Sequence, residues 1–125
     1  MDQRELMITM EEKPNYLYVY TSGIRTRDTV KEITMKVFTA ALEKHLSKVL
    51  IDIRDLNGLF GFLDIYFFVT EVLKDLHGKG VDQVAVIDIR RSPRPSWFLE
   101  PVAQHRGFNF RVFAEDESAR KWLSG

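Results

Sequence analysis

Asp52, Arg54 and Asp55 are the residues whose types and spacing most suggest chemistry. They stand near the end of an expected strand. The carboxyl ends of parallel strands commonly form ligand crevices, where paired carboxylates can do general acid–base work. Asp52 and Arg54 also share one face of that strand and suit a simple ion pair, and the segment 55–58 is rich in turn formers. We therefore interpret the group as an ion pair beside a loop and not as a catalytic centre.

The histidines and glycines show no spacing typical of a metal or nucleotide site. His45, His77 and His105 each stand near the end of an expected helix, where the helix dipole favours a cation without any metal. They form neither an HxH nor an HExxH pattern, and the sequence contains no cysteine. The patterns G-x-S-x-G and G-x-G-x-x-G and the P-loop are also absent. Metal, nucleotide and serine-hydrolase chemistry are therefore not expected.

Composition and charge predict one soluble domain without a nucleic-acid partner. The chain has 125 residues, which suits one domain. Its 18 basic and 18 acidic residues balance, so no overall field would hold nucleic acid. No apolar leader pattern opens the sequence and no window approaches the roughly 18 to 20 apolar residues of a membrane span. We expect a cytoplasmic protein.

Hydrophobic periodicity and turn residues predict the order ββαβαβαβα. A capping-box pattern at Thr29 and Glu32 predicts the start of the first helix, Gly78 and Gly107 suit the ends of the second and third, and Asp116 can cap the last. The expected strands are 6–12, 16–21, 48–54, 83–89 and 108–114. The expected helices are 29–46, 62–77, 97–105 and 116–123. Right-handed crossovers would place the connecting helices on one side of the sheet and leave the other face partly covered.

The expected second helix carries more large apolar side chains than one buried face needs. On a wheel at 100° per residue a single broad face suffices for the core. Its members are Phe62, Ile65, Tyr66, Val69, Val72, Leu73 and Leu76. Phe60, Leu63 and Phe67 form a second stripe away from that face, and Phe68 stands on a third side. Either neighbouring helices or a homodimer cover the stripe, or it lines a ligand groove or touches a membrane surface.

A basic loop precedes the expected third helix. Arg90, Arg91 and Arg94 come before Trp97 and Phe98. Arg side chains near a helix N-terminus can hold an anion, and Trp beside Arg suits a lipid headgroup region. The alternative is a solvated basic loop with Trp97 in the core. Insertion of three apolar side chains into a membrane would gain roughly 1.5–3 kcal/mol each, and three Arg would add about 1 kcal/mol each. Ordering costs oppose this gain, so the contact would be a reversible association.

Three tyrosines share one face of the expected second strand. Tyr16, Tyr18 and Tyr20 alternate with Leu17 and Val19. If helices cover only the aliphatic face, the tyrosine row is partly open. It is then a dimer surface, a small-ligand platform or an ordinary half-buried sheet face.

The order of elements and two segments resemble the SpoIIAA-like branch of the STAS superfamily, also described as STAS/SEC14 domains. The segments are the strand and turn 50–58 and the ending 106–113, followed by Ala119, Trp122 and Leu123. The resemblance covers nearly the whole chain. It implies a mixed sheet with helices packed on it, no cofactor and no known enzymatic activity. It also implies a binding module, with lipid-like molecules or a membrane surface as the ligands of this branch.

One position departs from the resembled superfamily. Its anti-sigma-factor antagonists are switched by phosphorylation of a Ser or Thr at the start of the second helix, and this chain has neither residue between Ser47 and Thr70. Gly61 or Phe62 stands where that hydroxyl would be. Control by phosphorylation at this place is therefore not expected.

We expect a single α/β domain over residues 1–125 with the SpoIIAA-like (STAS) fold, a five-stranded mixed sheet with an antiparallel first strand, and four helices. The leading hypothesis is a non-enzymatic binding module for an apolar or lipid-like ligand, with reversible association at the inner membrane face. The alternative is a dimeric, regulatory protein-interaction module without the phosphorylatable Ser. The residues expected to make apolar contacts are Phe60, Leu63, Phe67, Trp97 and Phe98, and those expected to contact an anion are Arg91 and Arg94.

Overall fold

One mixed sheet of five strands organises the described part of the chain. The computed structural model describes residues 5–58, 60–88 and 95–125. Its strands are β1 (Met7–Glu12), β2 (Leu17–Ile24), β3 (Lys48–Asn57), β4 (Gln83–Ile87) and β5 (Phe110–Phe113). They lie side by side in chain order, with β1 antiparallel to β2 and the other neighbours parallel. The expected mixed sheet with an antiparallel first strand is confirmed.

The described residues also form four helices, which confirms the expected order of elements. They are α1 (Arg27–Glu43), α2, which starts with Phe62–Phe67, α3 (Leu99–His105) and α4 (Asp116–Ser124). After its first six residues α2 widens into a π-helical turn, Phe68–Val72, and then tightens into a 3-10 turn, Leu73–Leu76. A further 3-10 turn, Pro95–Phe98, leads into α3.

The start of α1 differs from the sequence prediction. Thr26 is the N-cap in extended conformation, and its hydroxyl accepts a hydrogen bond from the Thr29 N–H at 3.1 Å. The Thr29 hydroxyl in turn accepts from the Thr26 N–H at 2.8 Å. The expected capping box at Thr29 and Glu32 is therefore wrong. The threonine pair offers the same reciprocal bonds one turn earlier, directly after β2.

Two other boundaries also differ. β3 continues through Asn57, so residues 55–57 belong to the strand and not to a turn. The N-cap of α4 is Glu115, which makes no side-chain capping bond, and Asp116 is the first helical residue. Both differences are of the size expected where turn formers and strand residues adjoin.

The core lies on both faces of the sheet. Helices α1, α2 and α3 cover one face. The main members of this cluster are Val19, Ile33, Val37, Val49, Ile65, Leu73, Val84, Val86, Leu99 and Phe110. Helix α4 covers the other face, where Ala119 and Leu123 pack on Leu50, Ala85 and Ile87.

The second face of the sheet is covered in part. Val49 and Leu50 of β3 point to opposite faces and are both completely buried. The cause is α4, which follows the last strand, so no crossover fixes its side of the sheet. The covering remains partial, as expected, because Tyr16, Tyr18 and Tyr20 are half-buried on that face.

Candidate functional site

The N-terminal end of α2 is held in place by an acidic side chain. Gly61 is the N-cap in extended conformation (φ −88°, ψ −170°). The Asp64 carboxylate accepts the Gly61 N–H at 2.8 Å and pairs with Nε of Arg27 at 2.6 Å. The bond from Arg27, followed by that from Gly61, holds the pKa of the Asp64 carboxyl below its usual value. Asp64 thus ties the start of α2 to the start of α1.

Large apolar side chains lie exposed beside this anchored helix end. Phe62 is 60% exposed, Leu63 78%, Tyr66 50% and Phe98 40%. Phe62 and Phe98 meet edge to face with ring centroids 4.9 Å apart, and Phe62, Leu63 and Tyr66 are neighbours at helical spacings of three and four. We call Phe62, Leu63, Tyr66 and Phe98 the exposed apolar patch.

Arg106 borders the exposed apolar patch. Its guanidinium carbon lies 5.6 Å from the centre of the Tyr66 ring, and its Nη2 donates to the Tyr66 hydroxyl at 3.1 Å. Arg106 forms no ion pair with any residue in the described ranges, and its side chain is exposed. The patch therefore has a positive charge on its rim.

The expected contact residues fall into different places. Leu63 and Phe98 belong to the exposed apolar patch. Phe60 is only 8% exposed, and its ring lies 5.5 Å from the Arg25 guanidinium carbon. Phe67 is partly buried against the core with the guanidinium carbon of Arg27 4.7 Å from its ring centre. Trp97 is also partly buried against the core. Arg91 and Arg94 lie outside the described residues.

The predicted stripe is wrong, because Leu63 is exposed whereas Phe60 and Phe67 pack against the core. The helix begins only at Phe62, so the helical wheel does not apply to Phe60. Phe68 does not stand apart but is buried, since it lies one helical turn after the buried Ile65. Phe62 and Tyr66, assigned to the core face, are exposed.

A buried ion pair at the carboxyl ends of β2 and β4 escaped the sequence reasoning. Arg25 is 5% exposed and Asp88 completely buried, with Nη1 and Oδ2 3.9 Å apart. Each residue directly follows an apolar strand, β2 or β4. That signal could have found them, because residues that follow parallel strands of one sheet lie at the same edge, and β2 and β4 are separated there only by β3.

Next to Arg25 the main core contains a cavity of about 90 Å³. Its walls come from α1, α2, α3 and the strands β3, β4 and β5. The residues that line it are apolar except Arg25 and Thr34, and the Thr34 hydroxyl donates to the Val30 carbonyl at 2.7 Å. Ile65 and Phe68 of α2 and the ring of Phe60 are part of the wall.

Asp52 and Arg54 form the ion pair that their spacing suggests. Nη2 of Arg54 lies 2.7 Å and its Nε 3.0 Å from the Asp52 carboxylate oxygens, and this bond raises the pKa of Arg54. Burial, followed by the Asp52 charge, raises the pKa of Tyr18. The Tyr20 hydroxyl donates to Asp55, and this bond raises the pKa of Tyr20. The arrangement keeps both phenols protonated, and its carboxylates are engaged, Asp52 with Arg54 and Asp55 with Tyr20.

The described residues contain neither a cluster of metal ligands nor a membrane-spanning helix. Within residues 5–58, 60–88 and 95–125, no group of three or more His, Asp or Glu side chains is arranged to hold a metal ion. None of the helices in these ranges combines the length and apolar character needed to cross a membrane.

Comparison with known proteins identifies the fold. No protein-family model matches the sequence, and a comparison with curated proteins gave no significant match. Two solved structures are similar over almost their full lengths. An anti-sigma factor antagonist from Mycobacterium paratuberculosis has a TM-score of 0.68 at 14% identity, with 99% of this chain and 98% of that chain covered. An uncharacterised protein of the DUF3478 family with a SpoIIAA-like fold, from Shewanella loihica PV-4, has a TM-score of 0.61 at 24% identity, with 98% and 97% covered. The chain therefore has a SpoIIAA-like fold.

Proposed function

We propose that the chain is a non-enzymatic interaction module that docks a partner protein on the exposed apolar patch. The observation that carries the proposal is the exposure of Phe62, Leu63, Tyr66 and Phe98 side by side at one anchored helix end. Contiguous exposed apolar side chains with a polar rim are typical of interaction sites. Aromatic side chains in particular dominate the energies of protein interfaces.

The fold supports a regulatory role of this kind. One protein with the same fold is an anti-sigma factor antagonist, whose name denotes action against another protein. In this chain the start of α2 carries Gly61 and Phe62 and no hydroxyl side chain, so docking would not be controlled by phosphorylation there. Its control would rest on the partner or on the packing beneath the helix.

The partner should present an apolar surface with a carboxylate near Arg106. The exposed fractions of the patch amount to roughly two whole side chains, and covering them would gain about 3–7 kcal/mol. Association itself costs about 4–15 kcal/mol, so apolar contact alone does not hold a partner. A carboxylate facing Arg106, which already stacks on Tyr66, would supply the missing contact.

A photo-crosslinking experiment tests the docking surface. Leu63 is replaced by benzoylphenylalanine in living cells, and Met7, which is 59% exposed on β1, is replaced in a matched control. We expect a defined crosslinked protein from position 63 and none from position 7. Its purified complex should weaken roughly 10- to 100-fold with Leu63→Asp and remain unchanged with Met7→Asp.

Two results would contradict the proposal. Crosslinks from position 63 only to a second copy of this chain would indicate a homodimer. If position 63 gave no crosslinked protein, the exposed apolar patch would not be a docking surface.

Binding to an apolar ligand at a membrane surface is the second candidate, and the exposed pair of Phe62 and Phe98 favours it. The net formal charge of the chain is zero, so it offers little general attraction to an anionic bilayer, and we place this candidate second. Co-sedimentation with neutral and anionic vesicles would test it. Binding that is lost in Phe62→Asp/Leu63→Asp would favour the membrane over the partner protein.

A further inference from the structure

Strand β5 is the last strand of the sheet, so one side of it has no neighbouring strand in the described part of the chain. Its other side pairs with β4 in parallel. The Asn109 carbonyl accepts the Val84 N–H at 3.0 Å, and in such a ladder every second residue bonds to the neighbouring strand. The backbone groups of Phe110 and Val112 therefore point away from the sheet. We call this free side of β5 the β5 edge.

Two side chains of α3 take the place of a sixth strand at the β5 edge. The Glu100 carboxylate accepts the Val112 N–H at 2.9 Å, and the Gln104 amide donates to the Phe110 carbonyl at 3.1 Å. The other two outward groups, the Phe110 N–H and the Val112 carbonyl, make no hydrogen bond to another described residue. Exposed strand edges are templates for pairing with another chain, and this edge is only half satisfied.

A groove of about 450 Å³ lies along the β5 edge. It is lined by residues 111–115, by Trp97 and Pro101 near the start of α3, and by Ser118 of α4. An added strand is held by its backbone bonds, and its alternate side chains are held in pockets beside the edge. The free backbone groups next to Trp97 and Pro101 therefore suit an extended segment that carries an apolar side chain.

The charges of the groove favour a segment with a basic residue. Glu100 lies 4.0 Å from Nε of Arg111, so its carboxylate keeps a cation beside it when a segment takes over the Val112 N–H. Glu115 also lines the groove and is exposed, and it forms no ion pair with any residue in the described ranges. The groove thus contains one unpaired negative charge, which a Lys or Arg of the segment would complement.

We propose that the β5 edge binds an extended peptide segment of another protein, and that Glu100 and Gln104 cover this edge in the free chain. The segment places an apolar side chain beside Trp97 and Pro101 and a basic side chain near Glu115. A second copy of this chain fits less well, since its own β5 edge is covered by the same two side chains of α3. The site shares no residue with the exposed apolar patch, so it goes beyond the proposed function and does not depend on it.

A library of random dodecapeptides displayed on phage supplies the probe. It is selected on the Leu63→Asp chain, in which the exposed apolar patch is disrupted, and the selected peptide is then added to the wild-type chain. We expect peptides with alternating β-branched or aromatic residues and a Lys or Arg. In NMR spectra they should shift the backbone amide signals of Phe110, Val112 and Ala114. If no peptide is retained, or if the shifts lie away from β5, the site is wrong.

Methylation of the peptide nitrogens, one residue at a time, tests whether the backbone is recognised. A segment paired with β5 turns every second N–H toward the edge. Methyl groups at these positions should weaken binding more than about tenfold, because each leaves a backbone acceptor without its partner. Methyl groups at the positions in between should have little effect. Equal effects at all positions, or none at any, would overturn strand addition.

Matched variants test the covering side chains. Gln104→Ala frees the Phe110 carbonyl and should strengthen binding of the selected peptide about 2- to 10-fold. His105→Ala, at the next position of α3, should leave binding unchanged. Weaker binding to Gln104→Ala would overturn the covering role, because it would show that Gln104 contacts the peptide.

A second pair of variants tests the charge of the groove. Glu115→Gln should weaken binding of a Lys-containing peptide roughly 1.5- to 5-fold. Glu117→Gln removes an exposed acid of the same helix start that does not line the groove, and it should have a smaller effect. Equal losses for the two variants would overturn the placement of the basic residue near Glu115.

Discussion

The buried ion pair between Arg25 and Asp88 should be the most sensitive polar contact of the fold. At 3.9 Å two unit charges attract by about 4 kcal/mol for an effective dielectric constant near 20. Removing one partner also leaves the other charge buried. We therefore expect Arg25→Met and Asp88→Asn each to lower the free energy of unfolding by about 3–5 kcal/mol. This is a large part of the roughly 5–15 kcal/mol that stabilises a typical domain.

The measurement is urea unfolding followed by circular dichroism, arranged as a double-mutant cycle. In the double variant both charges of this pair are removed, so its loss should be clearly smaller than the sum of the two single losses. The matched control is Arg120, whose pair with Asp116 has a similar length of 3.8 Å but lies exposed. Arg120→Met should cost less than about 1 kcal/mol.

Additive losses in the double variant would refute the reasoning, because they would show that the two charges do not depend on each other. Equal losses for Arg25→Met and Arg120→Met would refute it as well, since burial would then make no difference. Arg25 also lies over the ring of Phe60. Phe60→Leu therefore measures how much of the stability lost in Arg25→Met comes from the contact with this ring.

Two further predictions concern the starts of the helices. The pKa of the Asp64 carboxyl is lowered in the folded state. Asp64 therefore stabilises the fold at pH values above the ordinary pKa of 3.8, and this stabilisation is lost as the pH falls through the folded-state pKa. Urea unfolding over a pH series should therefore show Asp64→Asn about 1 kcal/mol less stable than wild type at neutral pH and equally stable in strong acid. A difference that persists in acid would contradict the role of the pair with Arg27. Thr26→Ala should lower the free energy of unfolding by about 1 kcal/mol and lower Tm. Glu32→Ala loses only the exposed pair with Lys36 and should cost about 0.5 kcal/mol or less. The opposite ranking would favour the capping box at Thr29 and Glu32 that the sequence predicts.

The architecture could be predicted from the sequence because it depends on local patterns. Alternation in β2 and β3 and the three-and-four spacing in α1 each point to one regular element, and Gly78 and Gly107 both adopt the positive φ values that suit helix ends. With right-handed crossovers these elements leave few possible arrangements. The side of α4 could not be predicted, because no following strand constrains it.

The candidate site could be predicted only in part, since it depends on where the helix begins and on which of its faces packs inward. Leu63 was placed correctly on the surface, but Phe60 was not, because it precedes the helix and packs into the core. Phe62 and Tyr66 are exposed because the face that packs inward contains Ile65 and not these two residues. The pairing of Arg25 with Asp88 and the cavity are contacts between distant segments, which local patterns do not specify.

The extended conformation of Gly61 means that the backbone does not force the helix start to lack a hydroxyl side chain. Its φ of −88° is open to every residue, and an added Cβ would meet no atom closer than a carboxylate oxygen of Asp64 at 4.0 Å. Gly61→Ser would therefore fit without strain and place a preferred capping residue there. A hydroxyl for a kinase could thus be introduced by exchanging one side chain on an unchanged backbone, although a phosphate would then lie beside the Asp64 carboxylate. The difference between a chain that can be switched at this helix and one that cannot is chemical and not architectural.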